Sequence, residues 1–251
     1  MVARGDLGVE IPVEEVPIIQ KEMIRLCNRA GKPVITATHM LESMQEHPFP
    51  TRAEANDVAN AIFDGSDAVM LSGESAAGLY PVKAVQTMAN ICVRTELALL
   101  ENDAYKLFEH DKYDTTEAIG QSVQHTAKNL GIKTIVAATE SGYTARMISK
   151  YRPKADIIAY TSLEETALNL TLAWGVTPVV EPRPASTDEM FDMATRKTLE
   201  LGFAEEGDLI IITAGVPVGE SGTTNIMKIQ MIGSKIVSGQ GVGNETVIGK
   251  A

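Results

Sequence analysis

Short runs of β-branched and aliphatic residues alternate with longer amphipathic runs along almost the whole chain. Pro33–Thr38 (PVITAT), Ala68–Leu71, Thr134–Ala138, Asp156–Tyr160, Thr177–Val180 and Leu209–Ala214 read as strands, and Asn225–Met231 as a last one. Between them lie segments with apolar residues at helical spacing, among them Val13–Ala30 and Pro81–Leu99. A strand–helix–strand alternation buries each strand on both faces and demands crossover helices, so it predicts parallel α/β architecture. Met1-Val2-Ala3 reads as the end of a buried strand with no beginning, so a fragment of a larger fold is expected.

Helix boundaries are marked by side-chain chemistry. Thr51 with Glu54, Ser162 with Glu165, and Ser186 with Glu189 fit the capping box, in which an N-cap oxygen and a carboxylate three residues on satisfy orphan amides. Asp114 with Glu117 suggests a further N-cap for a helix through Asn129, and Gly31 a C-cap. The charged, weakly periodic stretch from Glu101 to Tyr113 divides the chain. The expected organisation is a first unit at 1–99, a linker at 100–113, a second α/β unit at 114–233, and the opening of a further module at 234–251.

Composition narrows the function classes. The 251 residues carry 22 Lys plus Arg against 33 Asp plus Glu, a net charge of −11. Phosphate backbones and anionic lipid need clustered cations, so nucleic acid and membrane surfaces are not expected partners. The longest strongly apolar run, Leu209–Ala214, is far short of the ~20 residues of a membrane span. Cys27 and Cys92 lack the spacing of a zinc site and the density of a disulfide scaffold. A cytoplasmic setting is the expectation.

Four segments hold chemistry-bearing residues at strand ends, where parallel α/β folds bind their ligands. Arg4-Gly5-Asp6 places a carboxylate, suited to a divalent metal, next to a glycine that lets a ligand approach the backbone. An Asp capping the next helix is the competing reading. Thr38 ends the PVITAT run and could donate to a substrate oxygen or relay a proton, and His39 follows it. Ser72-Gly73-Glu74 ends the third strand. In the second half, Thr139, Ser141, Gly142 and Thr144 open a helix where hydroxyls and amides would form an anion nest, and the turn from Gly215 to Thr224, at the end of another strand, could close over the same anion. Glu140 opposes a phosphate there unless it points away.

MVARGDLGVEIP, GKPVITATHMLESM and PTRAEANDVANAIFDGSDAVMLSGESAAGLYP together closely resemble the pyruvate kinase family. The second half, with SKYRPKADIIAYT and SGTTNIMKI, is similar to that family's C-terminal regulatory domain. The ending GQGVGNETVIGKA resembles the start of the phosphoenolpyruvate-using domain that some bacterial members add. The resemblance implies the last three strands of a (β/α)8 barrel followed by a separate α/β domain. It implies phosphoryl transfer from phosphoenolpyruvate to ADP, giving pyruvate and ATP in glycolysis, with Mg2+ or Mn2+ and K+ as cofactors. A phosphorylated allosteric effector and a homotetramer belong to the same picture.

Residue by residue, the resemblance makes Asp6 the metal ligand and Gly5, Asp6, Thr38 and Arg4 the substrate site. Thr38 acts near the proton transfer, and Ser72 and Glu74 lie nearest the nucleotide. Thr139, Ser141, Gly142, Thr144 and Thr224 would hold the effector, and Glu140, where a basic residue is common, favours a monophosphate. His39 stands where many relatives have Gln, with no expected change of reaction. The family's catalytic Lys and second metal-binding carboxylate have no counterpart here, so the chain alone is expected to be inactive. A non-catalytic module that binds a sugar phosphate or AMP is the alternative.

Overall fold

The computed structural model describes residues 1–102, 114–216 and 224–233. The expected linker at 100–113 and the expected module at 234–251 lie largely or wholly outside these residues, as does most of the turn from Gly215 to Thr224.

The first unit is built on a three-stranded parallel sheet, β1 (Val2–Ala3), β2 (Ile35–Ala37) and β3 (Ala68–Val69), in that spatial order. Between them run α1 (Arg4–Glu10), α2 (Val16–Arg29) and α3 (Arg52–Phe63); α4 (Gly73–Ala76) and α5 (Pro81–Asn102) follow β3. The strands are far shorter than the apolar runs around them because each gives way at once to the loop carrying its polar residues. Met40, Leu41, Met44, Val58, Ala61, Ala84 and Met88 form one core under α3 and α5, and Val2, Ile24 and Val34 another beneath α2.

The second unit is a five-stranded sheet in the order β6 (Val176–Val180), β5 (Asp156–Thr161), β4 (Thr134–Ala138), β7 (Leu209–Ala214), β8 (Ile226–Met231). All pairings are parallel except β7 with β8. Helices α6 (Thr115–Leu130), α7 (Tyr143–Ser149) and α8 (Glu164–Leu170) precede β4, β5 and β6, and α9 (Thr187–Glu200) precedes β7. One face of the sheet packs Ile135, Ala137, Ile157 and Ile211 beneath α6 and α7; the other packs Val136, Ile158, Ile210 and Ile212 against Met193 and Ala194 of α9. Continuous apolar runs in β4, β5 and β7 are thus explained by burial on both faces.

Three of the four expected N-caps form. Thr51 and Glu54 make the full reciprocal box, and the Asp114 and Ser186 side chains accept the amides of Glu117 and Glu189. The fourth is corrected: α8 is preceded by Leu163, with no side-chain cap. Ser162 is recruited elsewhere, its hydroxyl donating to Glu140 Oε1 at 2.9 Å. Two helices differ in extent. The expected helix from Val13 opens as a 3-10 turn (Val13–Glu15) because Pro17 favours the first turn of α2, and α5 continues to Asn102, past the expected boundary at 99.

Candidate functional site

The first strand ends are brought together by one hydroxyl. Thr38 Oγ1 accepts the Gly5 amide at 2.8 Å and donates to Ala37 O at 2.6 Å. Thr38 and His39 both adopt left-handed backbone, φ 67° and 53°, which is costly for a β-branched residue. This conformation turns the chain sharply at the end of β2. Backbone strain of this kind persists only where the surroundings enforce it.

Arg4 supplies that enforcement. Its Nη2 donates to Thr38 O at 2.6 Å and its Nε to the same oxygen at 3.1 Å. Nη1 meets both carboxylate oxygens of Asp57 on α3, at 2.8 and 2.6 Å. One guanidinium therefore ties the ends of β1 and β2 to α3. Asp57 was not legible as a partner in the sequence: an acidic residue in mid-helix beside apolar Val58 reads as a solvated face until Arg4 is folded onto it.

Asp6 lies in the first turn of α1 and is exposed. The helix is preceded by Ala3 without a side-chain cap, so the competing reading of Asp6 as a helix cap does not apply. An exposed carboxylate beside the Gly5–Thr38 contact fits one corner of a magnesium shell, whose other ligands come from substrate oxygens and water. Among the described residues no group of three His, Cys, Asp or Glu side chains could hold a metal ion.

Ser72 and Glu74 close the third strand end differently. Glu74 is fully buried, and its carboxylate accepts the amides of Leu41 at 3.1 Å and Ser72 at 2.7 Å. It fixes the loops after β2 and β3 to each other. Ser72, partly exposed, is held in place by that bond.

In the second unit, Gly142 takes the left-handed conformation that starts α7, φ 76°. Thr144, buried in the first turn, shares a hydrogen bond with Thr224 at 2.8 Å, and the Thr224 amide donates to Thr116 Oγ1 at 3.3 Å. Thr116 escaped the sequence reading because it follows a cap residue rather than a strand. The Thr139 amide donates to Tyr160 O at 2.9 Å, and Ser141 is exposed. Glu140 accepts from Ser162 through its side chain and from Thr166 through its carbonyl, which directs it toward α8. Burial pushes the Tyr143 phenol up, reinforced by Asp114 and Glu117, and pulls the Arg146 guanidinium down.

Two adjoining α/β units, the first a short parallel sheet with polar groups gathered at its strand ends, define the class of a two-unit α/β protein. Residues 1–85 match the model of the pyruvate kinase barrel domain, and residues 117–230 that of the pyruvate kinase alpha/beta domain. The chain belongs to the pyruvate kinase family. It is 59% identical over 254 residues to pyruvate kinase of Lactobacillus delbrueckii subsp. bulgaricus, covering all of this chain and 43% of that protein. To pyruvate kinase of Staphylococcus aureus strain USA300 it is 60% identical over 253 residues, again 43% of that protein. A crystal structure of a pyruvate kinase from Cryptosporidium parvum superposes with a TM-score of 0.80 at 43% identity, covering 92% of this chain and 46% of that one. The chain thus spans less than half the length of these relatives. Among the described residues no helix is long and apolar enough to cross a membrane.

Proposed function

We propose that this chain supplies part of the site at which pyruvate kinase transfers the phosphoryl group of phosphoenolpyruvate to ADP. The observation that carries the reading is the Gly5–Thr38 contact, clamped by Arg4 and flanked by exposed Asp6, within a segment matched to the pyruvate kinase barrel. In the reaction the phosphorus–oxygen bond of the enol ester breaks, a bond forms to the terminal phosphate of ADP, and the enolate takes a proton at carbon to give pyruvate. Such transfer asks a protein chiefly for positioning and charge neutralisation.

Asp6 is the residue that would hold Mg2+ or Mn2+, which when bound neutralises charge on the phosphoryl and enolate oxygens. The Gly5 amide is the donor for a substrate oxygen, and Thr38 must share or yield that amide when substrate enters. The Thr38 hydroxyl also donates a hydrogen bond to Ala37 O, so relay to the enolate requires it to rotate toward the substrate. Arg4 holds the turn through Thr38 O. Ser72 lies toward the nucleotide, with Glu74 positioning it. No residue of this chain is assigned to K+.

One exposed carboxylate makes a weak metal site, so the 251-residue chain by itself gives no turnover. The test is complementation: the chain joined to the preceding barrel segment of the Staphylococcus aureus enzyme is assayed for pyruvate formed from phosphoenolpyruvate and ADP. Turnover in the chimera that is lost in its Asp6→Ala form supports the reading. A folded chimera without turnover overturns it.

A second reading concerns the second unit. Thr116, Thr144 and Thr224 converge on the N-terminus of α7, with Ser141 exposed beside it. This arrangement favours a phosphorylated effector, a monophosphate such as AMP or ribose 5-phosphate, bound by Thr139, Ser141, Gly142, Thr144 and Thr224.

A further inference from the structure

We infer that Asp67 and Arg152 form a buried coupling point through which the second unit fixes the strand that presents Thr38. Both side chains are 7% exposed, and their ion pair measures 2.9 Å. The two oxygens of Asp67 face opposite ways. Oδ2 accepts the amide of Val34, at the entry to β2, at 2.9 Å. Oδ1 accepts from Arg152 Nη1 at 2.9 Å and from the Trp174 amide at 3.2 Å. One carboxylate therefore holds a strand of the first unit with one oxygen and two segments of the second unit with the other.

Arg152 completes the junction from its own side. Nη2 donates to Gly65 O at 2.9 Å and to Asn28 Oδ1 at 3.2 Å, and the guanidinium lies 4.6 Å from the Trp174 ring. Its backbone is left-handed, φ 47°, beyond the end of α7. That conformation costs energy for a non-glycine residue and persists only where surrounding contacts over-determine it. The planar fork satisfies four acceptors in fixed directions, Ser149 Oγ at 3.5 Å being the fourth, which the single ammonium of lysine cannot reproduce.

The consequence for Thr38 follows from the length of β2. Asp67 also donates its own amide to Val34 O, so Val34 is gripped at both peptide groups. Two residues further, the buried hydroxyls of Thr36 and Ser66 meet at 2.7 Å. Thr38 is only four residues beyond Val34, at the opposite end of a three-residue strand. A shift at the junction has no flexible segment in which to dissipate before it reaches the Gly5–Thr38 contact. Arg152 and Asp67 are positioning residues, acting through β2. The meaning for substrate rests on the function proposed above; the mechanical coupling does not.

Hydrogen exchange on this chain, without substrate, tests the coupling whichever ligand the site takes. Arg152→Lys keeps the charge and loses the fork. It is expected to speed exchange across residues 33–39 by about tenfold, while 134–138 and 209–214, inside the second sheet, change by less than about twofold. Asp67→Asn, made from the other side, must raise exchange in 33–39 and also around Trp174. Loosening confined to residues 149–154 and 172–176, with 33–39 unchanged, overturns the inference. So does a rise shared equally by 134–138, which reports general destabilisation instead.

Discussion

The Gly5 amide and the Thr38 hydroxyl, 33 positions apart in sequence, are joined at 2.8 Å across the ends of adjacent parallel strands. The bond fixes a backbone donor and a side-chain oxygen against each other at the centre of the candidate site. Removing the hydroxyl in Thr38→Ala leaves the Gly5 amide without its partner and is expected to destabilise the chain by about 1 kcal/mol. Thr38→Ser retains the oxygen and recovers most of that loss. Denaturant midpoints at constant slope measure both, and equal midpoints for the two variants would contradict the assignment.

Glu54 gives the first unit an acid-sensitive joint. Burial raises its pKa, but hydrogen bonds from the Ser43 hydroxyl, the Ser43 and Thr51 amides and the Thr51 hydroxyl outweigh that effect and leave it below the ordinary 4.5. A carboxyl group depressed on folding stabilises the native state above its unfolded pKa, and the benefit is lost as pH falls through the folded value. Wild type should therefore melt above Glu54→Gln near neutral pH, with the gap closing below about pH 4. A gap that holds constant down to acid denaturation would mean that the charge does not matter.

Gly31 permits the two units to approach. It has φ +61°, and an added Cβ would meet Met147 Cε, the far end of that side chain. Gly31→Ala is expected to cost about 1 kcal/mol, mostly from left-handed backbone strain, with a smaller part from displacing the Met147 methyl. Shortening the obstructing side chain in Gly31→Ala/Met147→Val should return part of it, because the clash goes while the backbone cost remains. Strictly additive losses in thermal melts would show that the two residues do not meet.

Ser141 provides the test of the effector reading. A carboxylate in Ser141→Asp would repel a phosphate at the start of α7, so affinity for AMP or ribose 5-phosphate should fall at least about tenfold in calorimetric titration. Unchanged affinity would remove this loop from the binding site.

Parallel α/β organisation was readable because buried strands and amphipathic helices leave different periodicities, and Thr51, Asp114 and Ser186 mark helix starts by local chemistry. Ser162 misled for a physical reason: its hydroxyl has a tertiary option in Glu140, which sequence spacing does not register. Arg4, Gly5 and Thr38 could be nominated from their strand ends, yet the partners that hold them could not. Asp57 lies 53 residues from Arg4, and Asp67 lies 85 residues from Arg152. Nothing local distinguishes such paired charges from solvated ones. Glu74, named in the sequence for its place at a strand end, accepts two backbone amides that nothing in the spacing announces.

The carboxylate of Asp67 also bears on how the molecule comes apart. Rupture at that junction would break the buried ion pair and the Trp174 amide bond at once. Neither half can dissolve its edge without exposing the other's, so heating should produce one shared calorimetric endotherm in place of two independent peaks.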